Sequence, residues 1–312
     1  MDLAAQLPML LGLAWLAPLA SFTVILFFGP RMGPHGRNAA WVATGAIVTS
    51  LVLSLAAFVV WLGAHPVTAV HHGAGHGAAQ AADHGDAGHD AGGHDTHAAA
   101  PAAYSGDWYT LYQGGDLRLS IGWYIDALTV LMFVMVTFIA TCIHVYASGY
   151  MHDELHDVTD HEVTLADGHH LHRPGRFPRF FQALSLFCFS MLGIVIAGNL
   201  AMVFVFWELV GICSWFLIGF YYERKSASTA ANKAFIVNRV GDFGMLIGLM
   251  ALWGALGTLH FGDSTATAAD GREVSRPGLF SLVRPAATGH ALQVPDGMVK
   301  AAAAAEVAEI AA

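Results

Sequence analysis

Leu200-Ala201-Met202-Val203-Phe204-Val205-Phe206-Trp207-Glu208-Leu209-Val210-Gly211-Ile212-Cys213-Ser214-Trp215-Phe216-Leu217-Ile218-Gly219-Phe220 is the stretch that decides the fold, because Glu208 is its only charged residue. About 20 such residues, at about 1.5 Å of rise each, cross the hydrocarbon core of a bilayer. Just before it, Gly198-Asn199 separates a second apolar run, 178–197, so tightly that the two spans form an antiparallel hairpin. Outward from this pair, four more stretches qualify: 8–29, 40–62, 126–148 and 233–257. With 55% hydrophobic and 12% charged residues, against about 25% charged in a soluble domain, the reading is an all-α polytopic membrane protein with about six transmembrane helices. The first apolar run is too long for the hydrophobic region of a signal peptide and lacks a preceding Lys or Arg, so it reads as a retained helix.

Between the spans the chain is polar. The formal charge of -9 sits mostly in loops, and with no cluster of Lys and Arg to neutralise phosphates it excludes nucleic acid as a partner. Arg31, Arg37, Arg173, Arg176, Arg179, Arg224 and Lys225 all fall in loops on one side of the six spans. The positive-inside rule makes that side cytoplasmic and places the N-terminus outside a plasma (cell inner) membrane. The segment 64–106, rich in Ala, Gly, His and Asp, reads as a disordered outer loop. It is followed by a hairpin lid over 107–125, built from Trp108–Tyr112 and Leu117–Ile121 around Gln113-Gly114-Gly115-Asp116. A second His-rich stretch, His152 to His172, reads as a solvated linker. Residues 262–296 read as irregular loop, and Asp296 as the cap of an Ala-rich helix from Gly297 to Ala311 within a terminal segment 258–312. Neither His-rich stretch fixes ligands at a metal-binding spacing, and Cys142, Cys188 and Cys213, all within apolar runs, read as inert packing.

Chemistry is expected where charge enters the bilayer, because an ionisable side chain there costs roughly 2.5–3.5 kcal/mol on insertion scales and faces a partner or a hydrated path. Four such residues stand out: Glu208 on the fifth span, and Lys233, Arg239 and Asp242 on the sixth. Glu208 lies about 12 Å from the outer end of its helix. Arg239 and Asp242, three apart, share a face. Two readings stay open from the residues alone. In one, Arg239 and Asp242 neutralise each other and lock helices while Glu208 stays protonated; in the other, Glu208 titrates under the influence of a nearby cation. Gly211, on the face of Glu208, allows close approach of another helix. No phosphate loop, dinucleotide fingerprint, haem attachment or iron–sulfur cysteine spacing occurs, so no cofactor is expected on this chain.

Several motifs together resemble a known family: Arg179-Phe180-Phe181, Phe189-Ser190-Met191-Leu192, Trp207-Glu208-Leu209-Val210-Gly211-Ile212-Cys213-Ser214, Leu217-Ile218-Gly219-Phe220 and Lys233-Ala234-Phe235-Ile236-Val237-Asn238-Arg239-Val240-Gly241-Asp242-Phe243-Gly244, with Trp123-Tyr124-Ile125-Asp126 and His144–Met151. They are similar to subunit L of proton-pumping NADH:quinone oxidoreductase, respiratory complex I, known as subunit 5 in mitochondria. The resemblance implies the first part of an antiporter-like inverted-repeat module. It further implies that Glu208 is a fifth-helix glutamate beside a channel lysine, that Arg239 and Asp242 form a sixth-helix ion pair, and that Lys233 is a basic residue at that helix's inner end. NADH, FMN, iron–sulfur clusters and quinone would then sit on partner subunits, and a neighbouring antiporter-like subunit and the bilayer would be this chain's contacts. Since the family's broken seventh helix and channel lysine lie beyond the residues present, the resemblance implies an N-terminal fragment without a complete proton path. The alternatives are the large subunit of a multisubunit sodium/proton antiporter and a purely structural membrane subunit.

Overall fold

In the computed structural model, which describes residues 3–65, 103–114, 117–267 and 273–283, six helices are long and apolar enough to cross a membrane. They are α1 (Leu3–Phe28), α2 (Asn38–Ala64), α3 (Ala127–Tyr150), α4 (Phe177–Ile196), α5 (Leu200–Ile218) and α6 (Lys225–Leu256). Three antiparallel hairpins separate or follow them: β1 (Ala103–Gly114) with β2 (Leu117–Asp126), β3 (Val158–Thr164) with β4 (His170–Arg173), and β5 (Ser264–Thr267) with β6 (Glu273–Arg276), before a short α7 (Leu279–Val283). α4 is the hub, packed against α1, α2, α3 and α5, while α6 lies against α5.

Side chains are distributed as lipid requires. Large apolar residues such as Trp41, Val59, Tyr146 and Val240 face outward, whereas Ser50, Ser54, Thr137, Ser185 and Ser190 are buried between helices. Small residues let the backbones close up, and their hydroxyls find carbonyls: Ser50 donates across the α1–α2 contact to Ala14 O at 2.7 Å. Two helix starts have side-chain caps, Asp126 accepting from Thr129 N and Asn199 from Met202 N, each at 2.8 Å.

The two ends of the bundle differ in chemistry. At the hairpin end, Trp15 stacks on Trp108 and Phe189 at centroid distances of 5.6 and 5.1 Å. There the α4–α5 turn also joins β2, with Gly198 N donating to Gly122 O at 3.0 Å and Asn199 Nδ2 to Ser120 O at 2.8 Å. At the arginine end, the α1–α2, α3–α4 and α5–α6 connections converge on a second apolar cluster around Ile25, Met151, Phe177, Phe181 and Phe220.

Four sequence expectations need correction. The lid hairpin spans Ala103 to Asp126, four residues earlier than 107 and one later than 125, with register shifts that the alternation pattern hides. The sixth helix begins at Lys225, not at 233, because Ala227, Ala230 and Ala231 are strong helix formers whose polar neighbours masked them. His152 to His172 is no simple linker: it holds a 3-10 turn, His152–Leu155, and the β3–β4 hairpin. Residues 264–267 and 273–276 pair where irregular loop was expected. Residues 66–102 and the Asp296-capped helix lie outside the described residues.

Candidate functional site: a shared guanidinium between two spans

The α5–α6 contact brings three of the four expected residues together. The Arg239 guanidinium pairs with Glu208 through Nη1, and its Nη2 lies 3.0 Å from Asp242 Oδ2. The side chains of Glu208 and Asp242 are only 17% and 9% exposed. Two neighbours position the guanidinium: it lies 5.0 Å over the Phe235 ring, and Gly211 leaves it room, since a Cβ there would stand 3.3 Å from Nη2. Gly211 therefore faces α6, and the atoms nearest it there are on the side chains of Arg239 and Asn238. Asp242 is buried and Arg239 sits one turn before it on α6, so both of the guanidinium's carboxylates are reached by rotation of one side chain.

One cation shared by two ionised carboxylates leaves the cluster with one negative charge in excess. A proton on either carboxylate, or a second cation, closes the difference. Lys233 does not: it is exposed, eight residues into α6 rather than at its inner end, and has no ion pair among the described residues. Among the described residues, no three His, Cys, Asp or Glu converge to hold a metal.

A second network, at the arginine end, went unread. Glu154 accepts from Arg173 Nη1 and Nη2 at 2.8 and 2.7 Å and from Arg176 N at 2.9 Å. Both side chains of the Glu154–Arg173 pair are buried. Burial pushes the Glu154 carboxyl up, but the hydrogen bonds from Arg173 and Arg176 and their charges outweigh it and hold the group below its ordinary value. Arg176 also pairs with Glu223 and donates to Tyr222 at 2.8 Å. Arg224 donates to Asp160 at 2.8 Å and to Glu162 at 3.1 Å, and that bond to Arg224 is the main cause holding the Asp160 carboxyl low. Tyr221 stands between the guanidiniums of Arg173 and Arg224, at 5.7 and 4.9 Å. The chain returns so close that a Cβ at Gly175 would collide with the Glu154 carbonyl, a requirement visible only in the structure.

Six membrane-crossing helices, with a charged cluster shared between two of them, make this a polytopic membrane protein. Residues 197–284 match the family model described as NADH:quinone oxidoreductase/Mrp antiporter, TM, and residues 108–157 match NADH-Ubiquinone oxidoreductase (complex I), chain 5 N-terminus. The chain thus matches the family of NAD(P)H-quinone oxidoreductase chain 5, in that family's N-terminal portion. It is 46% identical over 148 residues to NAD(P)H-quinone oxidoreductase chain 5 of Synechocystis sp., a match covering 47% of this chain and 19% of the relative. It is 42% identical over 159 residues to the chloroplastic subunit 5 of Anthoceros angustus, covering 51% of this chain and 18% of the relative. The chain therefore spans about a fifth of the length of the curated relatives it matches. A chain of the membrane-bound sulfane sulfur reductase, an archaeal respiratory membrane complex, overlays 80% of this chain and 38% of its own length, with a TM-score of 0.49 and 14% identity.

Proposed function

We propose that this chain belongs to a membrane-arm, antiporter-like subunit that moves protons for an NAD(P)H:quinone oxidoreductase. The observation that carries the proposal is the shared Arg239: Glu208 and Asp242 both lie against one guanidinium, through Nη1 and Nη2, between two adjacent spans. When Glu208 is ionised it draws Arg239; when Glu208 takes a proton, the guanidinium is released toward Asp242. A charge change imposed from a neighbouring subunit is converted in this way into uptake or loss of a proton at Glu208. Electron transfer, with its NADH, FMN, iron–sulfur clusters and quinone, takes place on partner subunits, and the arginine end faces the cytoplasmic side of a cell inner (plasma) membrane.

The test is Glu208→Gln in the assembled complex. Assembly is retained and proton pumping per electron falls; wild-type pumping with full assembly refutes the proposal, and loss of assembly alone favours a structural subunit. The large subunit of a multisubunit sodium/proton antiporter is the second reading, favoured by the match over 197–284, whose family description covers both systems. The chain 5 match over 108–157 and the curated relatives support the oxidoreductase instead.

A further inference from the structure

A second ionisable cluster, outside the triad, lies at the hairpin end. A cavity of about 260 Å³ opens between β1, β2, the α4–α5 turn and the segment after α6, lined in part by Ser105, Asp107, Arg118, Trp123, His260 and Asp263. His260 is only 8% exposed. Its backbone is pinned on both sides: its N–H donates to Thr258 Oγ1 at 3.2 Å, its carbonyl accepts from Leu279 N at 2.8 Å, and it bridges to Asn199. The imidazole Nε2 is buried and meets no hydrogen-bond partner among the described residues. A buried polar atom in that position is costly unless water or a proton meets it.

The charges around this ring repeat the arithmetic of the triad. Arg118 on β2 pairs with Asp107 on β1 at 2.8 Å, and Asp107 also accepts from Ser120 Oγ at 2.5 Å. Asp263 lines the cavity from the segment after α6 and accepts from Gly278 N at 2.8 Å. The α4–α5 turn contributes the uncharged Asn199, and Leu279–Val283 contains no ionisable side chain. The lining thus holds one guanidinium and two carboxylates, and a proton on His260 brings that set to zero; of the two carboxylates, Asp107 is the one whose charge acts on the ring. Burial lowers the proton affinity of His260; the Asp107 charge and the hydrogen bond to the Arg118 backbone raise it, the Arg118 charge lowers it, and the outcome lies below the ordinary 6.5. His260 is therefore neutral near pH 7 and able to accept a proton.

Asn199, bridged to His260, caps the helix that carries Glu208, and Glu208 stands eight residues beyond Leu200, about 12 Å along the axis. We propose that this chamber is a hydrated proton-exchange site, in which His260 Nε2 takes a proton from water at the hairpin end and returns it. Uptake forms one N–H bond on the ring lone pair and release breaks it, with no other reactant. That the proton goes on to or comes from Glu208 rests on the proton-translocating reading; the exchange itself does not.

The test uses diethyl pyrocarbonate, which acylates only unprotonated imidazole, on the purified full chain in lipid nanodiscs, with His260 followed by peptide mass spectrometry between about pH 5 and 8. His260 reacts near neutrality, and its rate falls with acid at a midpoint below 6.5. Asp107→Asn lowers that midpoint further, whereas Arg118→Gln raises it. Loosening of the hairpin alone would move both variants toward 6.5, so a downward shift in Asp107→Asn separates electrostatics from unfolding. A folded chain whose His260 never reacts, or an Asp107→Asn midpoint that stays put or rises, overturns the proposal. Because the readout needs no pumping, a Glu208→Gln complex that pumps normally would remove the triad reading and leave this one standing.

Discussion

Replacing Glu154 by Gln should destabilise the arginine end more than any single surface change. The carboxylate accepts three hydrogen bonds, two from the Arg173 guanidinium and one from Arg176 N, all between 2.7 and 2.9 Å, and both partner side chains are no more than 5% exposed. Glutamine keeps one acceptor and turns an NH2 group toward a guanidinium that has only donors, leaving a buried positive charge uncompensated. Removing one partner of a buried pair costs about 3–5 kcal/mol. The loss is local, so the assay is hydrogen exchange of β4 and the start of α4, run beside a double-mutant cycle with Arg173→Gln. Removing both charges should recover part of the loss, and a coupling below about 0.5 kcal/mol would refute the reasoning. The pH dependence has a definite sign. Because the folded Glu154 carboxyl lies below its ordinary value of 4.5, its contribution is complete above pH 4.5 and drains away as the pH falls through the lower folded value. The wild type should lose protection in that acid window more steeply than Glu154→Gln, in which Asp160 still titrates but Glu154 no longer does.

Asn199→Ala removes both the α5 cap and the bond to Ser120 O, which should cost about 1–2 kcal/mol and show as faster exchange at Met202 and in β2. Arg224→Gln strips Asp160, whose side chain is 2% exposed, of its counter-charge; proteolysis within β3–β4 should accelerate while α1–α3 stay protected. Gly219→Ala places a Cβ 3.1 Å from the Ala231 Cβ and 3.0 Å from Trp215 O. Pushing α6 from α5 in this way should cost about 1–3 kcal/mol, and a spin-label pair across the two helices should report the wider spacing; an unchanged spacing would mean the helices have slack there.

Much of the architecture was legible because lipid imposes one rule on every spanning residue: the run 200–222 could be nothing but a span once Glu208 was its only charge. The same rule exposed Glu208, Arg239 and Asp242, since charge in an apolar run stands out. What could not be read was which residue meets which. The i,i+3 spacing put Arg239 and Asp242 on one face, and the resemblance set Glu208 beside a channel lysine, whereas among the described residues Glu208 meets Arg239, because the rotation of α6 against α5 is set by packing that no local pattern encodes. Glu154 was hidden for the opposite reason: in His152-Asp153-Glu154-Leu155-His156 an acid is unremarkable, and only the return of β4 shows that this one is buried. His260 had no pattern around it at all.

The placement of α6 follows from its three buried residues, Ala231, Asp242 and Leu249. Intervals of eleven and seven residues are close to whole numbers of turns at 3.6 residues per turn, so the three form one stripe, and that stripe faces α5. Ala231 packs beside Gly219 at one end of the contact. Beyond the stripe, Arg224 holds the helix start through Asp160 and Glu162, and the left-handed Gly257 turns the chain so that Leu259 O accepts from Leu200 N. With both ends tied and Asp242 fixed inward, Arg239 is the one member of the triad on a long, rotatable side chain. On the proposed proton-translocating function, a proton arriving at Glu208 would ask for movement of a guanidinium and not of a helix, so that a relay would run through a contact whose helices stay still.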